Sequence, residues 1–220
     1  MRLLLIHTAG NEGSVALADT AFAQAIVATE VLPGRTSSEK LVPAIRRLLE
    51  ARGWKLGELS AVVVVHGPGS FTGVRVGLSA AKGLSEAAKV PLIAVSRLAL
   101  LAASVDGGGT SVHALLDAGR GEFYYGEYSG RSRVGEALLS RQDLMDSAVG
   151  GTVVACEAKV EEGLVGISIR MTGEPLAGDA LPFALDRIAA GDFEDATTLD
   201  ANYLRRTDTE IFAKPASRAE

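Results

Sequence analysis

The stretch "VVVVHGPGSFTGVRVGLSAAKGLSEAA", residues 62–88, decides how the rest of the chain is read. Its four consecutive valines lack polar alternation, the pattern of a central strand covered on both faces. A glycine-rich turn follows, and then a segment of helical composition from about Thr72 to Ala88. A strand, a glycine turn and a helix suit several chemistries, each with its own demand. A Walker-type phosphate loop needs G-x-x-x-x-G-K-[ST], because the lysine and hydroxyl must reach phosphate and magnesium. Gly67, Gly69 and Gly73 have other spacings, no lysine follows Gly73, and Lys82 lies more than two helical turns further on. What survives is an anion site built from backbone amides alone, near Ser70 to Gly73 at the helix start. A nucleophile elbow needs G-x-S-x-G. Pro68 and Thr72 stand where those glycines belong, so Ser70 and Thr72 read as helix-capping hydroxyls.

The helix is more informative than the turn. At about 100° per residue, Arg75, Ser79, Lys82 and Glu86 form one narrow polar stripe, and the remainder, including Val74, Val76, Leu78 and Leu84, is apolar or tiny. A helix lying on one sheet needs an apolar stripe only a little wider than about 100°. This helix is therefore expected to be covered twice, by its own sheet and by either the lobe's other helix or a second molecule. Gly73, Gly77, Ala80, Ala81 and Gly83 allow close backbone approach in both cases.

Upstream, Leu3 to Ile6 reads as a compact strand, "NEG" as a turn, and "SVALAD" and "AFAQAIVAT" as two further strands. "TSSE" places Thr36 three residues before Glu39, the spacing of a capping box, and Leu41, Ile45, Leu48 and Leu49 then share a helical face. Pro43 is expected to bend that helix. Downstream, "PLIAV" is a strand and Ser96 caps "RLALLAA". The composition breaks at "DGGGT", which sets an N-terminal lobe at 1–105 and a smaller C-terminal lobe at 106–220 whose last segment packs back on the first. "SVHALLDAGRGEFYYGEY" repeats the order of "RLLLIHTAGNEGSVALA": apolar strand, polar residue at its end, glycine turn, second strand. In that overlay His7 stands opposite Asp117. A helix from about Asp179 to Ala190, ended by Gly191, and then "NYLRR" follow.

The 220 residues are 47% hydrophobic and 22% charged, a composition that folds rather than staying disordered. A net charge of -5 opposes any unaided grip on a nucleic-acid backbone. The lone Cys156, in "TVVAC", rules out an internal disulfide and reads as a small buried hydrophobe in a reducing compartment. His7, His66 and His113 are isolated, with neither H-x-x-x-H nor H-E-x-x-H spacing. The apolar N-terminal run is too short for a signal peptide and no run is long enough to span a bilayer, so a cytoplasmic protein is expected.

"GPGSFTGVRVGLSAAKGL" resembles the signature of the TsaB family, also called YeaZ. "TSSEKLVPAIRRLL" resembles the family's Ser-Glu-to-Pro helix, "ALLDAGRGEFYYGEY" its second-lobe strand pair, and "NYLR" its C-terminal Tyr-Leu-Arg. The likeness is good over residues 1–130 and thin over 131–195. It implies a two-lobed α/β fold of the actin, sugar kinase and Hsp70 kind, a ribonuclease H-like duplication with mixed sheets and flanking helices. It also implies a part in the bacterial machinery that installs threonylcarbamoyl on the adenosine beside the anticodon of tRNAs reading codons that begin with A. The implied role is that of a catalytically silent dimerisation subunit with no cofactor or metal of its own. Such a subunit is homodimeric alone, binds a TsaD-like catalytic subunit and a TsaE-like ATPase, and meets tRNA mainly through these partners. The expected docking surface is the helix pair at 39–52 and 72–88, with Leu41, Ile45, Leu48, Gly73, Val76, Gly77, Ala80, Ala81 and Leu84. A vestigial nucleotide site is expected at Thr8, Gly69, Ser70 and Asp117.

Two departures bear on chemistry. The family's first strand usually ends in Asp-Thr-Ser, whereas this one ends in His7-Thr8-Ala9, which removes a fixed negative charge facing metal-bound phosphate. Thr36-Ser37 stands where relatives often have His before Ser-Glu. The rival reading is a nucleotide-dependent phosphotransferase, with nucleotide in the interlobe cleft on the amides near Gly69 to Gly73 and the Asp117 carboxylate. A peptidase role finds no nucleophile or metal set.

Overall fold

A computed structural model describes residues 1–34, 36–147 and 150–204. Arg205 and Arg206, the end of "NYLRR", lie outside the described residues.

The first half runs β1 (Arg2–His7), β2 (Gly13–Asp19), β3 (Ile26–Leu32), α1 (Ser37–Arg52), β4 (Ala61–Val65), α2 (Phe71–Ala88), β5 (Leu92–Val95) and α3 (Arg97–Ala103). The second runs β6 (Val112–Gly119), β7 (Glu122–Ser129), β8 (Ser132–Ser140), α4 (Arg141–Ser147), β9 (Thr152–Ala155), α5 (Ala158–Gly163), β10 (Ile169–Met171) and α6 (Leu181–Ala190). Two five-stranded sheets result, in the orders β3-β2-β1-β4-β5 and β8-β7-β6-β9-β10. In each, the first strand pairs antiparallel with the second and parallel with the fourth. The repeated sequence pattern is thus a repeated topology, and the fold is the two-lobed α/β duplication with flanking helices.

Side-chain alternation along the strands sorts the apolar residues into three layers. Between the sheets, Leu3, Leu5, Val63 and Val65 meet Ala114, Leu116, Tyr128 and Val154, with α3 and α6 inserted. On the outer face of the first sheet, Leu4, Ile6, Val62 and Val64 pack with Leu41, Ala44 and Ile45 of α1 and Leu78 and Ala81 of α2. On the outer face of the second, Leu115, Phe123, Tyr125 and Val153 pack with Leu144, Val160 and Leu164. β4 is buried along its whole length, as its unbroken β-branched run requires.

Local details differ from the sequence reading in instructive ways. β3 starts at Ile26 rather than Ala21, because Asp19 closes a turn by accepting from Ala21 N at 3.0 Å while its own amide donates to Ala25 O at 2.7 Å. The capping box before α1 does not form: the Thr36 hydroxyl donates to Pro33 O at 2.8 Å, and only its backbone carbonyl receives Glu39 N. α1 passes through Pro43 without a break. α2 begins one residue early, at Phe71, with Ser70 as its N-cap accepting from Gly73 N at 3.3 Å; Thr72 lies inside the helix and caps nothing. Ser96 does cap α3, accepting from Leu98 N, and Gly191 closes α6 in the left-handed conformation.

Candidate functional site

The carboxyl ends of the inner strands of both sheets converge on a cleft of about 730 Å³. Open α/β sheets bind ligands at this position. Thr8, Gly69, Ser70 and Asp117 all line it, so the four residues expected at a nucleotide site are brought together. The turn between β4 and α2 is nevertheless filled by the protein itself. Ser70 N donates to Ala9 O at 2.8 Å, Gly73 N to the Ser70 hydroxyl, and the Thr8 hydroxyl to Gly73 O at 2.6 Å. Of the amides assigned to an anion, those of Ser70 and Gly73 are therefore already engaged. A Cβ at Gly69 would collide with the Ala9 carbonyl, at Gly73 with the Thr8 carbonyl, and at Gly77 with the Thr8 hydroxyl. The four-residue glycine spacing serves the close approach of α2 to the end of β1, a use distinct from the helix–helix or intermolecular contacts that the sequence suggested.

The cleft floor is cross-linked by charge. Arg97, at the first position of α3, is 2% exposed and donates through Nη2 to Glu157 at 3.0 Å and Glu174 at 2.7 Å. Glu174 also accepts Asn11 N at 3.1 Å, and the second oxygen of Glu157 accepts Asp117 N at 2.7 Å. A Cβ at Gly10 would strike the Glu174 carboxylate, so a larger residue in the β1–β2 turn would push that side chain aside. One buried guanidinium thus ties the end of β1, the end of β6 and the segments after β9 and β10. Lys159 approaches Asp117 at 4.0 Å. A bound triphosphate would face Asp117 and Glu157 with Arg97 already neutralised, an arrangement that disfavours it electrostatically.

His7 and Asp117 occupy corresponding strand ends, as the overlay expected, but in unlike surroundings. His7 is 1% exposed, and its Nδ1 accepts Ala9 N at 3.1 Å, which leaves the proton of the neutral ring on Nε2. Burial, and secondarily the Arg97 charge, lower its pKa to about 3. The ring is neutral throughout the physiological range, and its buried Nε2 meets no hydrogen-bond partner among the described residues. Asp117 is partly open to the cleft and accepts Gly119 N at 2.9 Å. His113 is buried against the Tyr125 hydroxyl at 2.8 Å, and burial lowers the pKa of His66. Among the described residues no group of three or more His, Cys, Asp or Glu side chains is arranged to hold a metal. Cys156 corrects the sequence reading: it is half-buried in the cleft wall, with Sγ 3.8 Å from Arg97 Nη2, and burial pushes its thiol up to about 11.

The residues assigned to docking divide by exposure. Leu41, Ile45, Gly77 and Ala81 are buried inside the chain's own core, whereas Leu48, Gly73, Val76, Ala80 and Leu84 are half-buried. What α2 turns to solvent is an arc of Arg75, Val76, Ser79, Gly83, Glu86 and Ala87, flanked by exposed Phe71 and by Val42 of α1. The Arg75 guanidinium lies 3.6 Å over the Phe71 ring, and its Nε donates to the Tyr203 hydroxyl at 2.8 Å. Tyr203 is delivered by a returning segment in which Leu199 and Ala201 pack on the first lobe and Asn202 N donates to His66 O at 2.9 Å. Sequence reasoning missed the Arg97 cluster and this aromatic clamp. A lone arginine opening the apolar "RLALLAA" was the one available signal of the former.

These features define the class: a two-lobed α/β protein of the actin, sugar kinase and Hsp70 kind, whose interlobe cleft is spanned by internal ion pairs. The model of the family described as "TsaD: tRNA N6-adenosine threonylcarbamoyltransferase" matches residues 27–182. The chain is 38% identical over 130 residues to the tRNA threonylcarbamoyladenosine biosynthesis protein TsaB of Escherichia coli K12, covering 58% of this chain and 55% of that one. It is 33% identical over 147 residues to the TsaB of Bacillus subtilis 168, covering 66% and 62%. A solved Pseudomonas aeruginosa protein, described as uncharacterized with similarity to peptidase YEAZ, superposes with a TM-score of 0.77 at 28% identity over 93% of this chain and 99% of that one. The chain belongs to this family, among its TsaB (YeaZ) members. Its matches span 55% and 62% of the length of the two curated relatives. No helix among the described residues is long and apolar enough to cross a membrane.

Proposed function

We propose that this chain is a non-catalytic, cytoplasmic subunit in the biosynthesis of threonylcarbamoyladenosine on tRNA, acting by docking a TsaD-like catalytic subunit onto its first lobe. The lobes divide near residues 105 and 106. A TsaE-like ATPase joins the pair, tRNA is met mainly through these partners, and the chain self-associates when alone. The names of its relatives support the pathway. One observation carries the docking role: the outward arc of α2 is small and only weakly polar, with Val76, Ser79, Ala80, Gly83 and Ala87 to one side of an edge formed by Arg75 and Glu86, beside the exposed apolar Val42 and Phe71. Apolar ground of this kind on a soluble protein marks an interaction site.

A Cβ at Gly83 meets nothing within 4 Å, so Gly83→Arg obstructs the arc without disturbing the core. Calorimetric titration of the TsaD-like subunit from the same organism is expected to give one-to-one binding with the unaltered chain and none with Gly83→Arg, whose circular dichroism is unchanged. Equal affinity for both forms would remove α2 from the docking surface.

The phosphotransferase reading keeps one observation in its favour, the convergence of Thr8, Gly69, Ser70 and Asp117 on a cleft of nucleotide size. It requires magnesium-dependent ATP binding that is lost in Asp117→Ala. The docking account expects no heat of ATP binding in either form.

A further inference from the structure

A second cavity, of about 750 Å³, lies where the chain crosses between the lobes. Two segments make that crossing. Residues 104–111 lead from α3 into β6, and residues 172–176 lead back from β10 to the first lobe. The return is fixed by Ala177 N, which donates to the Ser14 hydroxyl at 2.8 Å, and by Arg187 Nη1, which donates to Ala94 O at 2.9 Å. Both crossings line the cavity, together with the β7–β8 turn and the start of α6. Its volume suits a small organic molecule, for which binding sites span about 300–1,000 Å³.

The lining combines an apolar floor with an acidic rim. Leu100, Val112, Leu181 and Phe183 form the floor and are otherwise buried in the core. Asp106 and Asp179 are exposed on the rim. Each uses one carboxylate oxygen to hold its own turn: Asp106 Oδ1 accepts Gly108 N at 2.9 Å, and Asp179 Oδ2 accepts Leu176 N at 2.7 Å. Neither carboxylate is in an ion pair among the described residues. Glu174 adds a third carboxylate to the lining and reaches Arg97 at 2.7 Å, which connects the cavity to the tie across the cleft floor. Arg131 is the one cation of the lining, and Asp186 already holds it through Nε at 2.8 Å and Nη2 at 3.2 Å. Three carboxylates against one paired guanidinium make the cavity repel an anion and attract a cation. The apolar floor selects further, because a hydrocarbon body gains by leaving water there and a bare hydrated ion does not.

We propose that this cavity binds a small amphipathic cation, an amine with an aliphatic or aromatic body. The body lies on Leu181 and Phe183, and the ammonium lies at Asp106 and Asp179. The site is separate from the interlobe cleft and from α2, so it stands or falls apart from the docking role.

Phenethylamine, phenethyl alcohol and phenylacetate share one body and differ in the charge of the head group. Each is titrated into the isotope-labelled full chain and followed by amide chemical shifts. Phenethylamine is expected to move the signals of Val112, Gly173 and Phe183 with a dissociation constant about fivefold below that of the alcohol, and phenylacetate to move none. Asp106→Asn and Asp179→Asn alter exposed side chains, and each is expected to raise the phenethylamine constant about threefold. A Cβ at Gly173 meets nothing within 4 Å, so Gly173→Trp obstructs the cavity from its wall and is expected to abolish the shifts while circular dichroism is unchanged. Equal affinity for amine and acid, or no response to either asparagine variant, would overturn the proposal. So would shifts confined to Asp117 and Glu157 in the cleft, undiminished binding by Gly173→Trp, or no shift at millimolar phenethylamine.

Discussion

The two lobes share a strand order and differ in what covers them. The first sheet carries α1 and α2, of 16 and 18 residues, across its outer face, whereas the corresponding α4 and α5 of the second have 7 and 6. Long helices bury Leu41, Ile45 and Leu78 beneath them and still present a second face to solvent. Short ones seal Leu144 and Val160 over the second sheet and offer little more. The corresponding strand ends diverge in the same way: His7 is sealed and neutral, whereas Asp117 is open to the cleft. Duplication supplied the topology twice. The first copy presents an uncovered helix face to solvent, and the second is tied to it across the cleft floor through Glu157 and Glu174.

The comparison breaks most readily at Arg97, which joins the lobes. Arg97→Met leaves two half-buried carboxylates without their cation, and its unfolding free energy in urea is expected to fall by up to about 3 kcal/mol. A loss below about 1 kcal/mol would mean that the lobes are held by apolar packing alone. Next comes the fit of α2 on β1. Gly77→Ala forces a methyl group against the Thr8 hydroxyl and is expected to cost about 1–3 kcal/mol.

His7 and Asp117 are separated by pH. Because the folded pKa of His7 lies near 3 and its unfolded value near 6.5, the unfolded chain binds the extra proton between those limits. Stability from this residue is complete above about pH 6.5 and is lost as pH falls toward 3, at up to about 1.4 kcal/mol per pH unit. His7→Asn keeps an acceptor for Ala9 N without a titrating ring. The difference between the two unfolding profiles should therefore vanish near neutrality in slope and widen on acidification. Parallel profiles down to pH 4 would contradict the buried neutral ring.

The smallest effect has the opposite sign. Gly83→Ala, in the same helix as Gly77, meets open space and is expected to raise stability by about 0.5–1 kcal/mol. Two identical substitutions six residues apart thereby report which face of α2 the chain uses and which it leaves free.

Much of this was legible from local pattern. The β-branched run at 61–65, the Ser70 and Ser96 caps and the glycine stop at Gly191 each obey a short-range rule, and the strand-turn-strand echo around His7 and Asp117 reported the duplication. The division of labour on α2 was not legible. Periodicity shows that most of the helix circumference is apolar, and it cannot tell which part the chain covers. Gly73 and Gly77 looked available for a partner until the end of β1 was seen pressed against them. The Thr36–Glu39 box failed because a hydroxyl chose the nearer Pro33 carbonyl, a competition between local partners that spacing does not resolve. Arg97, Glu157 and Glu174 lie up to 77 positions apart, so their meeting is a property of the closed fold.

The central claim is that this chain works by docking, through α2, onto a TsaD-like subunit. Its most direct test is the mass by light scattering of the chain with and without that subunit, in the unaltered form and as Gly83→Arg. The account predicts a free homodimer replaced by a one-to-one complex, and a Gly83→Arg monomer that forms neither. An unaltered chain whose mass is indifferent to the subunit would contradict it.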